Sequence, residues 1–121
     1  DRIMIWYTYK ANSNVIENQF VQLSSDGLSV ELHTNSQPLG ICTESFFDEE
    51  NQEKFCRVYV AGGSGTKAVL GASWNGSPMQ FNVVDSKVIP VSEGGKGWLL
   101  PDLPISSKNE NEIVTVSIYN I

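Results

Sequence analysis

Along most of this chain apolar and polar side chains alternate with a period of two, and turn residues break the alternation every few positions. Successive side chains of a strand point to opposite faces, so such a pattern describes half-buried strands and is incompatible with helices of ordinary length. Val114, Val116 and Ile118 face one way, and Thr115, Ser117 and Tyr119 the other. Cys56, Val58 and Val60 alternate in the same manner with Phe55, Arg57 and Tyr59, and Leu28, Val30 and Leu32 with Ser29, Glu31 and His33. The breaks are turn formers: Ser25-Asp26-Gly27, Asn35-Ser36-Gln37-Pro38, an acidic stretch over 48–53, Asn75-Gly76-Ser77-Pro78, Asp85-Ser86 and Glu93-Gly94-Gly95. The alternation predicts strands over 3–9, 15–24, 28–33, 39–46, 54–61, 67–74, 79–84, 87–91, 97–100 and 112–120. The expected fold is all-β, a small single-domain barrel or sandwich of about eight to ten short strands.

One segment breaks the rule. Ile3, Met4, Ile5, Trp6, Tyr7 and Tyr9 place apolar or aromatic side chains on both faces. A strand of that kind must be covered on both sides, either inside the domain or as an arm that adds to another subunit's sheet edge. The chain is accordingly divided into an N-terminal strand or arm, 1–10, and a β domain, 11–121.

At 121 residues, 40% apolar and 18% charged, the chain suits one core: a domain of this size buries roughly 65 to 70% of its unfolded surface. The net charge of −6 repels a phosphate backbone, so nucleic acid is not an expected partner. No stretch has the apolar length of a membrane helix, and DRIMIWYTYK lacks the basic head and aliphatic run of a secretory signal.

The residues for chemistry are sparse. His33 is the one histidine, and its place in the alternation puts it on the polar side of a strand, as a surface residue. A nucleophilic triad cannot be assembled around it, and a metal needs more ligands than His33, Cys42 and Cys56 offer. The two cysteines read as buried free thiols filling a core, with a disulfide geometrically conceivable across a hairpin. Glu44, Asp48, Glu49, Glu50 and Glu53 crowd one hairpin tip without the spacing or the glycine of a calcium loop. Gly62-Gly63-Ser64-Gly65-Thr66-Lys67 lacks the glycine spacing of a phosphate loop and leads into the strand-like Ala68-Val69-Leu70, so it reads as a hairpin connection. No catalytic residue, cofactor or metal is expected. A carboxylate hydrolase would require two acids with shifted pKa in one cleft.

Trp74, before an Asn-Gly turn, and Trp98, after Gly97, are candidates for core packing, a protein interface or sugar stacking.

The order of segments resembles a known family. Val15-Ile16-Glu17-Asn18-Gln19-Phe20-Val21 leads to a Ser25-Asp26-Gly27 turn, then Pro38-Leu39-Gly40-Ile41-Cys42, a hairpin strand Val58-Tyr59-Val60-Ala61-Gly62 and a closing Val114-Thr115-Val116-Ser117-Ile118. This is similar to the small β-barrel decoration (cement) proteins of tailed-bacteriophage capsids, over roughly residues 11–120. The acidic stretch at 44–53 and the aromatic segment from Ile3 to Tyr9 depart from the pattern. The resemblance implies a virion structural protein without an active site, assembled in the host cytoplasm. It would sit on the capsid surface as a homo-oligomer, a trimer favoured, bound to the major capsid protein. Ile3, Met4, Ile5, Trp6, Tyr7, Tyr9, Trp74 and Trp98 are the expected interface residues. A tail-fibre or receptor-binding domain that recognises surface glycans through Trp74, Trp98 and the tyrosines is the alternative.

Overall fold

The computed structural model describes residues 5–61 and 65–119. Ten strands form: β1 (Ile5–Lys10), β2 (Phe20–Leu23), β3 (Val30–Leu32), β4 (Gly40–Asp48), β5 (Glu53–Ala61), β6 (Thr66–Val69), β7 (Met79–Val84), β8 (Lys87–Val91), β9 (Gly97–Leu100) and β10 (Ile113–Ile118). They make two antiparallel five-stranded sheets, A with order β1-β5-β4-β2-β3 and B with order β6-β10-β9-β7-β8. The all-β, many-turned architecture read from the alternation is the one observed. Single parallel bridges, Ala11 to Val30 and Leu70 to Val88, tie the two ends of each sheet together and curl both toward closure.

Two cores follow from this. Val114, Val116, Ile118, Leu99, Phe81 and Val88 line the inner face of sheet B and meet Phe20, Ile41 and Tyr59 from sheet A. The Phe20 and Phe81 rings join the sheets at 6.1 Å between centroids, tilted by 49°. On the opposite face of sheet A, the segment 11–19 lays Ala11 and Val15 over Val21, Val30, Cys42, Cys56 and Val58. Tyr59 and Val58 therefore serve different cores from adjacent positions of one strand. Removing such side chains from water contributes about 1.5 to 3 kcal/mol for each large residue.

Several expectations are corrected. Residues 15–19 are not strand but the plug over the second core, because Val15 is buried there. Leu28 is 75% exposed, since it belongs to the turn before β3 and not to the strand. The Gly62–Lys67 stretch is no hairpin: β5 lies in sheet A and β6 in sheet B, so the chain crosses between sheets here, with 62–64 outside the described residues.

His33 is the largest correction. It is buried, at 4% exposure, because the tip of the β7–β8 hairpin docks against it. That tip is a two-residue turn with positive φ at Asp85 and Ser86, the geometry that matches strand twist. The Ser86 backbone N–H donates to His33 Nδ1 at 3.1 Å, and His33 Nε2 donates to the Ser36 carbonyl at 2.8 Å. Ser86 Oγ donates to Gln19 Oε1 at 2.6 Å, and the Phe20 N–H to the Ser86 carbonyl at 2.8 Å. This imidazole is a clasp between the sheets.

Cys42 and Cys56 are free and buried, as the reading of core-filling thiols had it. A hydrogen bond to Cys56, together with burial, pushes the Cys42 thiol far above its ordinary range, while the same hydrogen bond lowers that of Cys56.

Candidate partner-binding surfaces

The segment that admitted two readings, core strand or arm, lies as the edge strand of sheet A, antiparallel to β5 with Trp6 opposite Tyr59 and Tyr9 opposite Cys56. Trp6 thus shares a face with Arg57 and Phe55, and Tyr7 and Tyr9 share the other with Val58 and Cys56. Tyr9 packs on the second core. Trp6 and Tyr7 are 46% and 54% exposed. Ile3 and Met4 fall outside the described residues, and Ile5 begins the strand.

Strands β4 and β5 are nine residues each, longer than any in sheet B. Their distal halves overshoot the sandwich, and the overhang carries Phe46 and Phe47, both exposed. Adjacent residues of a strand point to opposite faces, so these two cannot share one core. That adjacency is the signal that finds them in the sequence. Phe46 stacks on Phe55 at 5.9 Å.

A cleft of about 510 Å³ opens where the overhang diverges from sheet B, lined by Trp6, Glu17, Thr43, Glu44, Arg57 and Thr66. A β-bulge between Cys42 and Glu44 inserts Thr43 as an extra residue and bends β4 at this point. Thr43 Oγ1 donates to the Arg57 carbonyl at 3.1 Å. The Arg57 guanidinium lies 3.6 Å from Glu44 Oε1 and 6.0 Å from the centre of the Trp6 ring. Glu17 Oε2 accepts the Ser45 backbone N–H at 2.7 Å.

A second exposed region follows β9. Trp98 is 43% exposed on the outer face of sheet B, and in the loop after it Leu103 is 84% and Ile105 52% exposed. The base of that loop is clamped: Lys108 pairs with Asp102 at 3.3 Å, and the Trp74 and Lys108 backbones exchange hydrogen bonds of 2.9 and 2.8 Å. Pro101 and Pro104 stiffen the intervening chain. The pattern Pro-Asp-Leu-Pro-Ile, apolar residues fenced by prolines, is the sequence signal for this knob. Of the three readings of Trp74, core packing is the one observed, and its place among the interface residues is corrected: it is 3% exposed in the first core, with its indole N–H donating to the Ser77 carbonyl at 2.8 Å.

His33 uses both ring nitrogens structurally, and no carboxylate among the described residues is buried. Among those residues no group of three or more His, Cys, Asp or Glu side chains could hold a metal ion.

No protein-family model and no curated protein matches this chain. Among solved structures, the chain is similar in fold to the N base of the head fiber gp8.5 of bacteriophage phi29, with a TM-score of 0.60, 18% identity, and coverage of 97% of this chain and 95% of that one. At that identity the likeness is one of fold.

Proposed function

We propose that this chain is a structural protein of a tailed-bacteriophage virion, a decoration protein that grips the outer coat lattice as a homotrimer and stabilises the shell. The observation that carries the reading is the end-to-end correspondence of its two-sheet fold with a phage head-fiber base, with almost no residue of either chain left over. The chemistry is consistent with a passive role. A net charge of −6 keeps the protein off packaged DNA. A ligand that binds only the assembled shell adds its binding free energy to the cost of opening that shell. The coat-binding surface is the braced knob of Leu103 and Ile105 together with Trp98, whose rigidity lowers the ordering cost of docking.

Co-sedimentation with purified capsids of the cognate phage tests this. The protein pellets with capsids and raises their opening temperature, whereas the double variant Leu103→Asp, Ile105→Asp stays in the supernatant with an unchanged melting temperature. A wild-type protein that never pellets with capsids defeats the reading. A second reading, the base of a projecting head fibre, is favoured by the likeness in fold to a head-fiber base; it predicts capsid binding without a rise in opening temperature.

A further inference from the structure

We infer that the cleft between the overhang of sheet A and β6 is a binding site for an uncharged saccharide. The inference is independent of the virion reading and uses none of the residues given there to coat binding. A pyranose has two kinds of surface: faces of C–H groups with slight positive polarisation, and an edge of hydroxyls that both donate and accept. A site for it needs an exposed aromatic face beside a ring of planar polar groups. The Trp6 indole is 46% exposed and supplies a large aromatic platform, whose negative π-face suits the C–H face. Arg57 stands 6.0 Å from that ring and so holds one side of the indole, leaving the platform oriented.

The rest of the lining supplies hydrogen bonds in both directions. Arg57 donates, Thr43 and Thr66 do both, and the carboxylates of Glu17 and Glu44 accept from hydroxyls in strong charge-assisted bonds. Glu44, Glu17 and Thr43 have partners before any ligand arrives. Glu44 is set by its 3.6 Å pair with Arg57, Glu17 by the Ser45 N–H at 2.7 Å, and Thr43 by the bulge and its bond to the Arg57 carbonyl at 3.1 Å. The volume of about 510 Å³ lies within the usual range of small-ligand sites. Two carboxylates against one guanidinium leave the lining net negative. That balance selects against sialic and uronic acids and in favour of neutral hexoses and N-acetylhexosamines.

A printed array of neutral and acidic oligosaccharides, followed by calorimetric titration of the best neutral glycan, tests the site. The expected result is binding to neutral glycans that Trp6→Ala weakens by about tenfold or more, with the capsid co-sedimentation of the same variant unchanged. Should Trp6→Ala fail to fold, the wild-type protein provides the readout: on titration the Trp6 indole N–H resonance shifts, while that of buried Trp74 stays still. Binding that persists in a folded Trp6→Ala, an indole resonance that does not move, a preference for acidic sugars, or an array without signal each overturns the proposal. A wild-type protein that binds neutral glycans through Trp6 but never pellets with capsids defeats the virion reading and leaves this one standing.

Discussion

Sheets A and B have five strands each but spend their side chains differently. Sheet B turns Phe81, Leu99, Val116 and Ile118 into one interior that is capped by Phe20, Ile41 and Tyr59. Sheet A fills its far side with small residues, Ala11, Val15, Val21, Val30 and two cysteines, and sends its longest strands past the sandwich with aromatics exposed on both faces. The division is of labour: large side chains at the seam between the sheets hold the domain, and the thinner second core frees one end of sheet A to face solvent. If so, substitutions should fall into a steep order of cost, from the inner face of sheet B, through the seam and the second core, to the overhang.

Val116→Asp should have the largest effect. Val116 is fully buried between β6 and β9, and an unpaired carboxylate there loses several kcal/mol of solvation with nothing to replace it. We expect no soluble folded protein; a variant that melts like wild type would show the inner face of sheet B to be wrongly assigned. Phe20→Ala comes next, at about 3 to 5 kcal/mol, because it removes a ring that bridges both sheets. Val21→Ala, one residue along but in the second core, should cost roughly 2 kcal/mol. Denaturant unfolding of the pair measures the contrast directly, and equal losses would erase the distinction between the cores.

The clasp between the sheets is the next test. His33→Phe keeps a ring of similar shape but strands the Ser86 N–H and the Ser36 carbonyl, the two partners of the imidazole. About 1 to 3 kcal/mol should be lost for buried groups left unpaired. Hydrogen exchange at the Ser86 amide would rise ahead of exchange in β10. An unchanged Ser86 amide would mean that the docked turn does not depend on the histidine.

How much of this was legible beforehand follows from what alternation encodes. Val114, Val116 and Ile118 could be oriented from the sequence because β10 has one dry face and one wet face. Tyr59 could not: both faces of β5 are covered along part of its length, so the polar or apolar character of neighbours no longer reports direction. The burial of His33 is hidden from the sequence for a related reason. Its burial is conferred by a turn 53 residues away, a contact that no local pattern records. Trp74 and Trp98 look alike in sequence, each beside a glycine-containing turn, yet one is in the core and the other outside. Only the pairing of Trp74 with Lys108, far along the chain, separates them. Phe46 and the Leu103 knob were readable in principle, from adjacent aromatics and from prolines fencing apolar residues.

The smallest expected effect lies in the turns, and it sharpens the contrast once more. Sheet B closes its β7–β8 turn with backbone geometry at Asp85 and Ser86, whereas sheet A closes two of its turns with carboxylates. Asp26 accepts from Ser24 Oγ at 2.6 Å and from the Leu28 N–H at 3.0 Å. Asp48 accepts from the Asn51 side chain at 2.8 Å and from the Glu50 N–H at 3.1 Å. These bonds hold both carboxyls below their ordinary value of 3.8, led by the Ser24 hydroxyl for Asp26 and by the Asn51 amide for Asp48. A depressed folded value means that the stabilisation is complete above the unfolded pKa and drains away as pH falls through the folded one. NMR titration from about pH 5 to about pH 2 should therefore show both carboxyls protonating below 3.8, with the Glu50 and Leu28 amides shifting in step. Asp26 is exposed and Asp48 only half-buried at a hairpin tip, so the melting temperature should hardly respond to Asp48→Asn. A large drop in that temperature would show that the overhang braces the seam, and would end the separation of stability from surface on which the comparison rests.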